Sequence, residues 1–229
     1  QNKTSAAKNI SLYSFVEFQL EGYQRYSDYN SYVHGEFDKV HNAIVCFNLA
    51  MERPHDWFNG FMASDTAPTA FDTSKRAFLG VYGGIFAPEG IAHDSLSNSL
   101  AACEQMVGAM QHDYVIEPGK AVTLNVIIGA VDSMDTAKTL SKKLFAPGKI
   151  EQDFENLNAS KQEMAKDIFV TTPDEKVNNF ANYWLKQQVQ LCAEVGRDTG
   201  KGFRDQLQDA WAVASFNPQL AKEKILETL

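Results

Sequence analysis

The sequence predicts an α+β multidomain chain: part of an antiparallel β-sandwich over residues 1–132, a helical linker over 133–171, and the first helices of an (α/α) bundle or toroid over 172–229. Three observations predict it. Apolar, aromatic-rich runs of strand length fill the chain up to residue 131, and no helix-period pattern of useful length interrupts them. Composition then switches to charged, Gly-poor, helix-prone sequence. From residue 172 onward, cap signals and short connections mark out successive helices.

The run 10–20, ISLYSFVEFQL, has apolar side chains at both parities, which suits a strand buried on both faces or one between two sheets. Residues 40–50 and 103–116 are similar. The run 103–116 is expected to meet 121–131 across Glu117-Pro118-Gly119-Lys120, where Pro then Gly suits a type II turn. Residues 134–144 and 150–168 read as helices separated by Ala146-Pro147-Gly148, with Phe154, Leu157, Met164 and Ile168 forming a partial apolar stripe. In Thr172-Pro173-Asp174-Glu175, Thr172 is expected to cap a helix, with Pro173 first and Glu175 third. That helix is expected to run to Val195, facing Val177, Phe180, Trp184, Leu185 and Cys192 inward and stopping at Gly196. A second helix starts near Asp205. Asn217-Pro218 opens a third that carries Leu220, Ile225, Leu226 and Leu229, and the short link Ser215-Phe216-Asn217 predicts antiparallel neighbours. The helical pattern breaks off at Leu229, and there is no initiator Met, so a processed or partial product is expected.

Composition excludes several classes of function. Hydrophobic residues at 44% and charged residues at 22% are ordinary for a globular protein. A net charge of −8, with Lys and Arg scattered, leaves no basic excess for a phosphate backbone, so no nucleic-acid partner is expected. The longest apolar run, 126–131, is far too short to span a bilayer, and Gln1 to Lys8 lack the apolar segment of a secretory signal. Cys46, Cys103 and Cys192 are odd in number and widely spaced, which is no disulfide framework and points to a reducing, cytoplasmic setting. Glycosylation-type triplets begin at Asn2, Asn9 and Asn158, a pattern that recurs by chance.

The segment from Gly200 to Trp211, GKGFRDQLQDAW, holds the candidate chemistry. Asp205, Gln208 and Asp209 are spaced i, i+3 and i+4 on one helical face. Asp205 with Gln208 three residues later reads as a capping box. Asp209 enters a stretch, Ala210 to Ala214, that is apolar all round and reads as buried, so its carboxylate needs partners. Arg204 is one candidate partner and sugar hydroxyls are another. His55-Asp56, His93-Asp94-Ser95 and His112-Asp113 tempt a triad reading, but sequence neighbours do not converge, so they read as loop polars. The histidines form no HxH or HExxH pattern, so no metal is expected. Gly80, Gly83 and Gly84 lack the following helix of a phosphate cradle and read as turn glycines.

Two stretches resemble the inverting β-glycoside phosphorylases, the family of cellobiose, cellodextrin, chitobiose and β-1,2-oligoglucan phosphorylases. One runs from Asn179-Phe180 through Trp184-Leu185 to Gly202-Phe203-Arg204-Asp205 and Gln208-Asp209, resembling the family's Gly-(Phe/Tyr)-Arg-Asp-x-x-Gln-Asp segment at the start of its toroid. The other is Phe61-Met62-Ala63-Ser64 with residues 71–80, FDTSKRAFLG, resembling a segment of the family's amino-terminal sandwich. Residues 182–189, NYWLKQQV, look more like oligoglucan-type members than cellobiose phosphorylase. The resemblance implies that Arg204, Asp205, Gln208 and Asp209 bind the donor glucose, and that the general acid and phosphate ligands lie beyond Leu229. It implies a single inverting displacement, with inorganic phosphate as co-substrate, no cofactor, a β-linked glucose oligosaccharide as substrate and a homodimer. Two other readings stay open: a non-catalytic carbohydrate-binding or scaffold fragment, and an inverting hydrolase on a similar toroid.

Overall fold

The computed structural model describes residues 1–18, 33–48, 59–166, 168–195 and 202–228. Gly196, His55-Asp56, Gly200-Lys201 and Leu229 lie outside the described residues. The chain divides into two compact units, 1–147 and 148–229.

The first unit holds two antiparallel sheets. One has the strand order β1 (Lys8–Glu17), β6 (Met106–Ile116), β5 (Ala70–Ser74); the other has β2 (Val33–Asp38), β3 (Ala43–Asn48), β4 (Asn59–Ser64), β7 (Val126–Val131). Period-two alternation explains how both sheets are buried on two sides. Ile44, Cys46 and Met62 of the four-stranded sheet meet Met106 and Met110 of β6 in the sandwich core. The alternate residues Ala43, Val45, Phe61 and Ala63 face the other way, against Ala137, Leu140 and Phe145 in and just after helix α2 (Met134–Leu144). The outer side of β6, Val107 and Ala109, packs with Phe78 and Leu79 of the short helix α1 (Lys75–Leu79) and with Leu96. Thus α2, read from sequence as linker, packs on the four-stranded sheet.

Two strand expectations need correction. Residues 10–17 of the run 10–20 do lie in β1, with Gln19 and Leu20 outside the described residues, but β1 lies at a sheet edge, and Ile10 and Leu12 are each 38% exposed. Only its later part uses both faces: Tyr13 and Phe15 pack beneath α1, while Val16 and Phe18 pack into the sandwich core. The turn Glu117–Lys120 has the expected geometry, with Gly119 at φ 74° and the Lys120 amide donating to the Glu117 carbonyl at 3.0 Å. It does not close a hairpin, however. It hands the chain from β6 in one sheet to β7 in the other, where β7 pairs with β4. The turn is instead braced by Asn2, whose amide nitrogen donates to the Lys120 carbonyl and whose carbonyl accepts from Gly119. The buried Asn2 side chain donates to the carbonyls of Ala6 and Ile116, so this sequon asparagine is committed to the fold.

The second unit is helical: α3 (Lys149–Lys166), α4 (Glu175–Asn179), a π-helical turn (Phe180–Trp184), α5 (Leu185–Glu194), α6 (Phe203–Val213) and α7 (Pro218–Thr228). Ala193, Val213 and Ala221 form its small core with Val189, Phe216 and Leu220, drawing α5, α6 and α7 together. Asn217 caps α7, accepting from the Leu220 amide at 3.2 Å, with Pro218 at the first helical position.

The cap of α4 is Asp174, not Thr172: the Asp174 carboxylate accepts from the Lys176 amide at 2.8 Å. Thr172 is held otherwise, because its N–H donates to Asn178 Oδ1 at 2.7 Å and its carbonyl accepts from Asn178 Nδ2 at 3.0 Å. Asn182 holds Val170 the same way, both bonds at 2.8 Å. Lys186 Nζ then donates to the carbonyls of Met164, Ala165 and Ile168, closing the C-terminal end of α3. These bonds also correct the expected inward face. Val177, Phe180, Trp184 and Leu185 are 42–53% exposed, whereas Asn182 and Lys186 are buried. Polar side chains take the buried stripe because the segment they face carries backbone groups needing partners.

Candidate functional site

Helix α6 carries all four residues singled out from the sequence. Gly202 is its N-cap and Phe203 its first residue, so Asp205 occupies the third helical position and is not the capping residue. The Gly202 carbonyl accepts from the amides of Asp205 and Gln206, at 3.0 and 3.1 Å, and closes the first turn. The Asp205 carboxylate lies back over that turn; a Cβ at residue 202 would sit 3.2 Å from its Oδ2, which a glycine avoids. The expected capping box therefore fails. The carboxylate still stabilises the helix through the positive end of its dipole.

Arg204 extends into solvent and pairs with Asp205 at 3.4 Å. Gln208 is exposed and Asp209 is buried. The stretch after Asp209 is two-sided, not buried all round: Ala210 and Val213 are fully buried, while Trp211 is 80% exposed. The four residues thus run from an exposed guanidinium, through a half-buried carboxylate and an exposed amide, to a buried carboxylate one helical turn on. Such a row offers donors and acceptors in fixed alternation, which suits hydroxyl recognition.

The histidine pairs do not form triads. His112 and Asp113 point to opposite sides of β6. The His112 ring is buried, with Nε2 3.2 Å from both Ser64 Oγ and the Thr66 carbonyl, and burial lowers its pKa. Asp113 is exposed and is held below the usual carboxylate range by hydrogen bonds from Gln111 and Ser11. His93 is exposed in the loop that carries Asp94 and Ser95. Among the described residues, no three His, Cys, Asp or Glu side chains converge as metal ligands. Gly80 has φ 81° and ends α1, and a Cβ on Gly83 would strike the Leu79 carbonyl at 1.8 Å, so both are turn glycines.

The sandwich segment 71–80 is also structural. Asp72 is buried and accepts from Ser97 Oγ at 2.6 Å and from the Ser99 amide and hydroxyl at 2.9 and 2.8 Å. Thr73 Oγ1 accepts from the Ala101 amide at 2.6 Å, and Ser74 caps α1 through the Ala77 amide. Sequence reasoning missed the polar set Asn178, Asn182 and Lys186, of which Asn182 and Lys186 are buried and Asn178 partly so. Their spacing, i, i+4 and i+8, was the available signal.

Comparison with known proteins fits this arrangement. Residues 1–147 match the family model described as "Glycosyl hydrolase 94, supersandwich domain", and residues 161–229 match "Glycosyl hydrolase 94 superfamily, catalytic domain". The chain is 55% identical over 228 residues to a solabiose phosphorylase of Paenibacillus borealis, covering 100% of this chain and 30% of that protein. It is 26% identical over 251 residues to an N,N'-diacetylchitobiose phosphorylase of Vibrio proteolyticus, again 100% of this chain and 30% of that protein. It is 29% identical over 234 residues to the cyclic beta-(1,2)-glucan synthase NdvB of Rhizobium meliloti (strain 1021), covering 99% of this chain and 8% of that protein. The chain thus spans 30% of the length of the two phosphorylases.

Proposed function

Because the chain belongs to the glycosyl hydrolase 94 family, we infer that it forms the sandwich and the opening of the catalytic domain of an inverting β-glycoside phosphorylase. The reaction is reversible cleavage of a β-glucoside by inorganic phosphate to give α-glucose 1-phosphate. The observation that carries this reading is similarity to a phosphorylase at 55% identity along the whole chain, across both units. Phosphate attacks the anomeric carbon from the face opposite the leaving sugar, while a carboxylic acid protonates the departing oxygen, so no second carboxylate is needed to activate a nucleophile. In this scheme Arg204, Asp205, Gln208 and Asp209 hold donor hydroxyls, and their bonds tighten as positive charge develops on the ring. The general acid and the phosphate ligands belong to polypeptide beyond Leu229. Helices α4 to α7 begin an (α/α) toroid, with 1–132 as sandwich, 133–171 as linker and 172–229 as toroid.

A homodimer and a cytoplasmic location belong to the same proposal. Support for association comes from residues 81–91, where Val81, Tyr82, Ile85 and Phe86 are 60–101% exposed on one loop. Replacing Tyr82 and Phe86 with Ser is expected to shift the full-length protein from dimer to monomer in sedimentation; an unchanged dimer would remove this loop from the interface. Support for a reducing compartment comes from Cys46 and Cys103, which form no disulfide among the described residues, with burial pushing the Cys46 thiol well up.

The test is phosphorolysis by the full-length polypeptide carrying this chain, with cellobiose, laminaribiose, sophorose or solabiose as substrate. Phosphate-dependent release of a sugar 1-phosphate is expected. Release of free sugar without phosphate consumption would show an inverting hydrolase, and binding without either product would show a scaffold or binding module. The 229-residue chain by itself is expected to give no turnover.

A further inference from the structure

The edges of the two sheets meet on one side of the sandwich. Segment 99–103 ties them together there: the Gly35 amide donates to Ala101, Cys103 donates to Val33, and Thr73 donates to Ser99. Beside this tie, between β2 and the residues leading into β5, lies an open groove of about 930 Å³. That volume is within the range of about 300–1,000 Å³ typical of small-molecule sites.

Its floor is an aromatic pair, Phe37 and Phe71, stacked with ring centroids 4.1 Å apart. Both rings are half-buried and back onto the sandwich core. The walls are mixed, with Ala67, Pro68, Ala70 and Leu100 beside the polar groups. His34 and Glu36 project from the outer face of β2, with Nε2 and Oε1 3.3 Å apart, and Lys39 follows at the end of the strand. Asn98 sits opposite, held in the left-handed region at φ 57°. Its Oδ1 accepts from the Phe71 amide at 3.1 Å, which fixes the amide orientation. Its Nδ2 is thereby turned to serve as a donor.

We propose that this groove, built by residues of the first unit, is a second carbohydrate site, which binds a neutral oligosaccharide. The argument rests on matched chemistry. Glu36 and Lys39 offset each other, which favours an uncharged ligand over an anion or a cation. An apolar floor beside donors and acceptors matches a sugar ring, whose C–H face is apolar and whose rim is hydroxyl. The imidazole, carboxylate and amide, unlike long aliphatic walls, can exchange bonds to water for bonds to hydroxyls at little loss. The inference stands on the groove alone and holds whether or not α6 binds a donor sugar.

The test is titration of the isotope-labelled 229-residue chain with cellotetraose and laminaritetraose, read by backbone amide resonances, with tri-galacturonate as a charged control. Saturable shifts are expected at His34, Glu36, Phe71 and Asn98 with the neutral sugars, and none there with tri-galacturonate. The double variant His34→Ala, Glu36→Gln alters only outward-facing side chains and is expected to weaken binding roughly tenfold while leaving other strand resonances in place. Absence of saturable shifts in the groove up to about 10 mM sugar, a weaker interaction than any useful site, would overturn the proposal. So would shifts confined to 203–209, or equal binding by the double variant. Failure of phosphorolysis by the full-length polypeptide with groove shifts intact would sink only the phosphorylase reading.

Discussion

Asp209 is where the two accounts of α6 part. If its carboxylate only supports the helix, Asp209→Asn in the full-length enzyme lowers the melting temperature and leaves turnover per folded molecule nearly unchanged. If it grips donor hydroxyls, the same substitution keeps the fold and costs about 2–4 kcal/mol of transition-state binding, roughly 30- to 1,000-fold in kcat/KM. We expect the second result, in both the phosphorolytic and synthetic directions, because both share one transition state. The matching change at residue 205 removes a charge at the third position of the helix, so Asp205→Asn is expected to cost about 0.3–1 kcal/mol of stability from the lost dipole interaction alone. Any large kinetic loss there would place Asp205 on the sugar as well. His112 supports a different prediction. Burial holds its folded pKa below the ordinary 6.5, so the unfolded chain binds more protons in the window between the two values. Stability is therefore full above 6.5 and is lost as pH falls toward the folded value. Thermal melts across this window should show a slope that flattens in His112→Gln; an identical slope in the variant would assign the pH dependence elsewhere. At this scale the sequence was a partial guide. The i, i+3, i+4 spacing correctly put the α6 polars on one helix, but it made Asp205 a cap, because it could not show that Gly202 begins the helix two residues before Arg204.

The helices and strands were legible where periodicity and turn chemistry agreed, and misread where one of them spoke alone. Both-parity apolar runs marked β3 and β6 as doubly covered strands, and the clusters on their two faces show why. The same pattern misled at β1, because parity says nothing about whether a strand is central or at an edge. Pro-Gly at 118–119 set the turn type but not its destination, since a type II turn closes a hairpin or crosses between sheets with the same local dihedrals. The half-exposed stripe of Val177, Phe180, Trp184 and Leu185 was mistaken for the buried side because hydrophobicity ranks Phe and Trp above Asn and Lys. In fact the bidentate Asn182–Val170 pairing takes that side. Asn182→Ala leaves the Val170 amide and carbonyl without this partner and is expected to cost about 1–3 kcal/mol, seen as an earlier thermal transition of the second unit. Asn182→Ser with full stability would show that water replaces the amide.

For the whole molecule, the order of sandwich, then helices, was legible, since composition alone shifts from aromatic strands to charged helices at residue 133. The family followed from two short segments. One of these, residues 71–80, turns out to build the sandwich through Asp72, Thr73 and Ser74. Those residues stitch the loop 97–101 down. The groove between β2 and β5 left no trace in sequence, because its walls come from 34–39 and its facing side from Asn98, far apart along the chain.

Asn178, Asn182 and Lys186 follow at four-residue steps through α4, the π-helical turn and α5, about 6 Å each at the α-helical rise of 1.5 Å per residue. Their partners Thr172, Val170 and Ile168 retreat by two extended residues each, about 6.6 Å at 3.3 Å per residue. The two scales nearly coincide, so the helix acts as a ruler against which the preceding segment is measured. Deleting one residue between 168 and 172 would turn backbone groups away from Asn178 or Asn182, whereas changing Phe169 or Thr171 would disturb neither pairing. What this stretch of chain must keep is its length.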